Sequence, residues 1–556
     1  MQQKFLEKTL GQQIADMAAK YPDDNMIDYT DRDYSRTWKE FNDECETIAR
    51  GFMALGLKKG SHISIWGTNV PAWLLTFFGS AKMGGILVTV NTSYKVFELD
   101  YQLKQSDSEA IVLIDGYKGT SYIDIINELC PELESCEPGK LKSRRLPLLK
   151  SVIYAGEGEC PAGMVDWKDL YTLAEKTPIE EFEAVRDSCD CHEVVNIQYT
   201  SGTTGFPKGV MLTHYNVVND GKCIGDRMDL STADRMMIQV PMFHCFGMVL
   251  SMTSCMTHGA TLCPMPYFSA KVSLACINQE RITCFNGVPT MFIAMLEHPD
   301  FDKYDFSHMR TGIMAGSPCP IKTMYDVSEK MNMRDIVIVF GQTEAAPGCT
   351  MTTTEDSLET RCATVGKAFP GVECKIVDPN TGETLPAGEI GEFCARGYNI
   401  MKGYYKMPEA TAQAIDKDGW LHFGDLAVCD ENGYYKVTGR LKDMIIRGGE
   451  NIYPKELEEC LYHNDRVKDV QVIGVPSKKY GEEVCACVIL KEGEDMTEDE
   501  IKAYYKENVA FFKIPKYVWI MDEFPMTASG KIQKFVLRDM AVEKYSLQSD
   551  DSIETA

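Results

Sequence analysis

The chain has 556 residues, 44% hydrophobic and 25% charged, and carries a formal net charge of -25. That length exceeds one ordinary hydrophobic core and predicts two or more domains, while the composition is that of a soluble globular protein. So acidic a chain lacks the basic footprint on which nucleic-acid binders depend, and any lysine or arginine serving a phosphate ligand must be concentrated locally. The 21 cysteines are scattered singly, many inside apolar runs, which predicts buried reduced thiols in a cytoplasmic protein. The one close group, Cys189, Cys191 and His192, has no second ligand pair at zinc-like spacing and reads as loop or packing.

Taken in order, residues 1–60 read mostly as amphipathic helix. Leu10, Ile14, Met17 and Ala18 recur at helical spacing, and a second helix from Thr37 to Leu55 opens with a Thr cap and Glu40 three residues on. Ile63 to Trp66 begins a strand, and helix and strand then alternate through residues 112–114, the pattern of a parallel sheet covered by helices. The most apolar window, Pro71 to Val90, is interrupted by Lys82 and three glycines and reads as a buried helix leading to a strand, not as a membrane span. The start of the chain has no apolar signal core. A short basic run, Lys140 to Arg145, could meet phosphates but is read as a solvated loop.

Asn196 to Thr200 ends a strand, and the following loop, Thr200-Ser-Gly-Thr-Thr-Gly-Phe-Pro-Lys-Gly209, is dense in hydroxyls and glycines and closes on a lysine. Such a loop suits polyphosphate: glycines admit close approach, hydroxyls and amides donate, and Lys208 supplies charge. Pro207 before the lysine excludes the common Gly-x-x-x-x-Gly-Lys phosphate loop. The stretch resembles the signature loop of the adenylate-forming superfamily of acyl-CoA synthetases, peptide-synthetase adenylation domains and firefly luciferase. Thr200, Ser201, Gly202, Thr203, Thr204, Gly205 and Lys208 are thereby its nucleotide-binding candidates.

Later motifs extend the resemblance over about Thr37 to Arg538. Val240 to Gly247 ends a strand and turns into an apolar helix, Met248 to Met256; the resemblance gives His244 the role of gating the carboxylate pocket. No carboxylate stands there to pair a substrate ammonium, which favours an acid without an α-amino group. Asn286 to Thr290 resembles the segment before the acyl pocket, and Ala315 to Pro318, with Gly316 and Ser317, the loop that packs on adenine. Phe340-Gly341-Gln342-Thr343-Glu344 follows a β-branched strand at its carboxyl end, where open α/β sheets bind ligands. Thr343 can donate to the α-phosphate, and Glu344 is the metal candidate, suited to Mg²⁺. From Gly366 to Tyr405 short strands and turns predict a β subdomain. Asp425, read as lying just after an apolar strand, can accept from both ribose hydroxyls. Arg440 resembles a ribose and phosphate contact, and Lys442 falls on the family's hinge position.

Beyond it, a helix from Pro454 to Tyr462, strands Asp469 to Val475 and Glu483 to Leu490, and a helix from Glu498 to Asn508 form a second small pattern. Pro525 to Lys534 resembles the loop of the invariant lysine, which assigns Lys531 to adenylation. Gly448, Gly449 and Glu450 are implied to meet an incoming pantetheine. The expected fold is thus α/β: an N-terminal domain (1–441) of two α/β subdomains plus a β subdomain, and a mobile α+β C-terminal domain (442–556) hinged at Lys442.

The implied activity is an ATP- and Mg²⁺-dependent, AMP-forming acyl-CoA synthetase, most similar to bacterial medium- and long-chain fatty-acid ligases. Its catalytic set is Lys531, Thr343, Glu344, His244 and Lys208, and CoA is the co-substrate. An aryl-CoA ligase, with Phe243 and Phe246 about a ring, and a free-standing enzyme loading a carrier protein are the alternatives. A catalytically silent nucleotide-binding regulator is disfavoured by Glu344, Asp425, Arg440 and Lys531 occurring together. Spacing does not set the chain length of the acid or the oligomeric state, and a homodimer is compatible with it.

Overall fold

The computed structural model describes residues 5–200, 207–316, 319–447, 450–477, 479–509, 511–527 and 531–547. The chain divides into two compact units: residues 1–374 with 395–421, and residues 375–394 with 422–556. This division passes through strands of the β region, not through Lys442, so a hinge at that lysine is a separate matter from compactness. None of the 21 cysteines is in a disulfide, and no described helix is long and apolar enough to cross a membrane.

The first unit contains two large sheets. Five parallel strands (335–337, 311–313, 284–285, 235–238 and 261–264) continue into Asn25–Asp28, which pairs parallel with Thr261–Pro264, and end on antiparallel Ser35–Thr37. The N-terminal 60 residues are therefore not only helical: two short strands join a sheet whose other members start at Arg235. The second sheet has eight strands in the order 403–404, 208–213, 194–200, 86–89, 62–66, 110–113, 151–154 and 165–166. It is parallel from Val194–Thr200 outward and antiparallel at Lys208–Thr213 and Gly403–Tyr404.

Both predicted N-terminal helices form. Leu10–Lys20 buries Leu10, Ile14, Met17 and Ala18, and Trp38–Ala54 starts at a complete capping box between Thr37 and Glu40. Pro71–Lys82 is a buried helix followed by the strand Ile86–Thr89. Lys82 itself is buried, its ammonium donating to Asn42 Oδ1 at 2.8 Å and pairing with Glu46 at 3.1 Å, which removes the unpaired charge that burial would penalise.

The second unit holds most of a four-stranded sheet, in the order Val372–Val377, Gly391–Gly397, Leu421–Cys429 and Tyr435–Arg440. The expected β subdomain is this sheet. The stretch from Gly366 to Tyr405 does not remain together, because Lys367–Ala368 and Gly403–Tyr404 pair into other sheets. A five-stranded sheet follows, built on the long hairpin Val467–Ser477/Gly481–Leu490 with Tyr517–Ile520 parallel to its second arm. Helices Pro454–Tyr462 and Glu498–Asn508 form as expected. They close a core that includes Leu457, Leu461, Val470, Val472, Val484, Ile501 and Tyr505.

Candidate active site

In the first unit the site is built at the root of the hydroxyl-rich loop. Strand Val194–Thr200 returns as Lys208–Thr213, so that Thr200 and Lys208 face each other across the ladder. Ser201, Gly202, Thr203, Thr204 and Gly205 lie outside the described residues, as does Ser317. The Lys208 ammonium sits 4.9 Å over the ring of Tyr404, a favourable cation–π placement. The Tyr404 hydroxyl in turn donates to Glu344 Oε1 at 2.7 Å. Burial and the neighbouring carboxylate push the Tyr404 phenol far above its ordinary pKa, so it remains a donor.

Glu344 lies in the short turn Thr343–Ala345 and is only 9% exposed. Its backbone carbonyl accepts from Met401 N at 2.9 Å, which fixes the carboxylate to the segment carrying Tyr404. Gln342 starts the turn by accepting from Ala345 N at 2.8 Å. Gly341 has no room for a side chain, since a Cβ there would stand 1.8 Å from the Pro347 carbonyl oxygen.

Thr343, buried, lies 3.5 Å from the thiol of Cys245. The neighbouring His244 is half-buried; its Nδ1 accepts from Phe246 N at 3.2 Å, and its carbonyl from Gly247 N and Met248 N. The helix expected over Met248 to Met256 begins instead as a π-helical stretch, Phe246–Thr253, before becoming α-helical over Ser254–His258. Two hydroxyls support the wider turn: Ser251 bonds the carbonyl of Phe246 and Thr253 that of Met248, each five residues back. Such wide turns occur often at functional sites. Asn286 holds the far side, donating to Leu250 O and Ser251 Oγ and accepting from Ile313 N. Gly316 follows with φ of 86°.

In the second unit Asp425 lies inside strand Leu421–Cys429, not after it, and is paired in register with Arg440. The Arg440 Nε is 3.3 Å from Asp425 Oδ1, with the arginine side chain 65% exposed and the aspartate 12%. Burial raises the Asp425 carboxyl to about 6; Arg440 and Lys531 pull it down and Asp443 pushes it up. The structure thus brings Arg440 and Lys531 each within electrostatic reach of Asp425. Lys531 is bonded twice to Thr527, its N–H donating to the Thr527 hydroxyl and its carbonyl accepting from Thr527 N.

Lys442 is exposed in the turn after Arg440. Gly448 and Gly449 lie outside the described residues, and Glu450 is opposite Arg447 in a hairpin. Arg447 is engaged by Glu483 at 2.6 Å and by the Phe512 carbonyl at 2.8 Å. Sequence reasoning missed Tyr404, whose position depends on Gly403–Tyr404 pairing with Val210 and Met211, and the contact of Cys245 with Thr343.

A parallel α/β core with a lysine-closed loop, a buried carboxylate beside it, and a second α/β unit with its own lysine turn is the organisation of an adenylate-forming enzyme. A model of the AMP-binding enzyme matches residues 14–405, and one of the AMP-binding enzyme C-terminal domain matches residues 456–531. The chain belongs to the AMP-binding enzyme family. It is 51% identical over 546 residues to the putative acyl-CoA synthetase YngI of Bacillus subtilis, covering 98% of this chain and 99% of the relative. With the mitochondrial medium-chain acyl-CoA ligase ACSF2 of Bos taurus it shares 40% over 546 residues, 97% and 88% of the two chains. The crystal structure of ATP-bound MatB from Rhodopseudomonas palustris superposes with a TM-score of 0.83 at 27% identity, covering 96% of this chain and 99% of that one.

Proposed function

We propose that the chain is an AMP-forming acyl-CoA synthetase acting on a medium- or long-chain fatty acid: acid, ATP and CoA become acyl-CoA, AMP and pyrophosphate through an acyl-adenylate. The observation that carries this reading is the line from Lys208 through Tyr404 to buried Glu344 at the root of the hydroxyl-rich loop. Similarity to ligases of that kind over nearly the whole chain supports it.

A carboxylate is a poor electrophile toward a thiol, so it is first activated on the α-phosphate of ATP, an encounter of two anions. Lys208, Thr343 and the hydroxyls of the loop are suited to offset the charge that develops. Glu344 has one oxygen engaged by Tyr404. A single buried carboxylate beside a hydroxyl fits Mg²⁺, which takes one or two carboxylates and nucleotide phosphates and would supply charge neutralisation there. Asp425 and Arg440 hold the ribose, His244 gates the acid, and Lys531 serves adenylation. Rotation about Lys442 then exchanges Lys531 for the hairpin at Arg447 to Glu450, which receives CoA. No covalent enzyme intermediate is needed.

Pyrophosphate release measured across straight-chain acids from acetate to palmitate, with benzoate and coumarate beside them, tests the substrate class. A maximum among medium or long chains is expected. A preference for the aromatic acids, or a flat profile, would overturn the fatty-acid assignment.

A further inference from the structure

The strand Gly391–Gly397 and its neighbour Leu421–Cys429 alternate their side chains between two faces, as strands must. One face is apolar: Phe393 meets Phe423 at 4.9 Å between ring centroids and Tyr435 at 5.3 Å. The opposite alternation gathers Glu392, Cys394 and His422, one ligand atom from each lying within 4.8 Å of the other two. His422 Nδ1 is 2.8 Å from Glu392 Oε2 and 3.5 Å from Cys394 Sγ. The second carboxylate oxygen accepts from Gly424 N at 3.0 Å, so the first is held toward the ring. Cys394 and Glu392 are buried, whereas the His422 side chain is 32% exposed and forms the mouth of the cluster.

The geometry points to a site for a thiophilic divalent cation of the Zn²⁺ class, bound by Cys394 Sγ, His422 Nδ1 and Glu392 Oε2. Bond lengths of about 2.0–2.3 Å around tetrahedral zinc place neighbouring ligands about 3.3–3.7 Å apart. The 3.5 Å between His422 and Cys394 already fits, the 2.8 Å between His422 and Glu392 would open by about 0.5 Å, and the separation of Glu392 from Cys394 lies within 4.8 Å. Thiolate, imidazole and carboxylate together select zinc over the hard cations that accompany phosphates. Three protein ligands leave a fourth position open to solvent on the His422 side. On binding, the Cys394 thiol proton leaves to solvent, and the neutral His422 ring carries its proton on Nε2 while Nδ1 takes the metal; no electron is transferred. A second group, Glu7, Cys191 and His192, also falls within 4.8 Å. There the glutamate and histidine are 66% and 60% exposed on the surface, so it lacks comparable support.

The site adjoins Asp425 along the same strand, and Gly424, whose φ of 66° favours glycine, links the two. The test uses the reduced full chain. Zn²⁺ is titrated in competition with a chromophoric chelator, and Co²⁺ is used as a spectroscopic substitute. One site is expected with a thiolate-to-Co²⁺ charge-transfer band. That band is lost in C394S and kept in C191S, and zinc affinity falls about tenfold or more in H422Q.

Wild-type affinity in folded C394S and H422Q, or a cobalt complex without a thiolate band, overturns the site. Should the variants not fold, alkylation of the wild-type chain read by peptide mass decides: bound Zn²⁺ protects Cys394, and equal rates with and without metal overturn the site.

Discussion

Asp425 offers the sharpest test of the nucleotide assignment because its ionisation lies near the working range. The shift from 3.8 to about 6 has burial as its main cause, and about two pH units correspond to about 3 kcal/mol against the ionised form. With a pKa of about 6, about nine-tenths of the side chain is ionised at pH 7 and about a quarter at pH 5.5. A carboxylate that accepts from two ribose hydroxyls must be ionised, so the KM for ATP should rise about fourfold between those values through this group alone. The γ-phosphate of ATP titrates in the same range, so the readout is the difference between wild type and D425N in pyrophosphate release at saturating acid and magnesium. D425N should begin with a higher KM and lose the aspartate's share of the acid limb. The folded carboxyl binds its proton more tightly than the unfolded one, so this group's contribution to stability falls as pH rises from 3.8 to about 6. D425N should accordingly raise the unfolding midpoint of the ligand-free chain at pH 7. An acid limb identical in both enzymes refutes the ribose role, and an unchanged midpoint refutes the raised pKa.

The other predictions concern separate links. Y404F removes a bond to a buried carboxylate, worth about 1.5–3 kcal/mol; adenylation should slow about tenfold to a hundredfold with a shifted Mg²⁺ dependence, and superimposable magnesium titrations would refute the role given to Tyr404. K531A should lose acyl-adenylate formation about a hundredfold or more yet still turn over a supplied acyl-adenylate with CoA; a joint loss of both half-reactions would refute the separate roles. His214, buried and accepting from Leu10 N at 3.1 Å, has its pKa lowered by burial to about 4. Below the unfolded value of 6.5 the unfolded chain binds the extra proton, so stability should fall by about 3 kcal/mol as pH drops from 6.5 to about 4. Denaturant unfolding followed by tryptophan fluorescence should show this slope reduced in H214N.

What could be read from the sequence was what is decided within a few residues. The capping box at Thr37 and Glu40, the helices Pro454–Tyr462 and Glu498–Asn508, and the strand that ends at Thr200 all carry local signals, and all form. The misreadings share a different cause. Asn25–Asp28 is four residues long and becomes a strand because Thr261–Pro264 lies beside it, a pairing no local pattern reports. The sequence places Asp425 just after an apolar strand. The strand continues because Arg440 stands opposite it in register and partly offsets the cost of burial. Tyr404 is the clearest instance: a two-residue strand pairs it with Val210, and only then does its hydroxyl reach Glu344 while its ring lies under Lys208. Motifs therefore disclosed the groups that meet substrate, whereas the groups that hold them depend on long-range register. The same division separates Asp425, found by motif, from the pairing of His422, at the head of its strand, with Glu392 on the neighbouring strand, which a fold is needed to see.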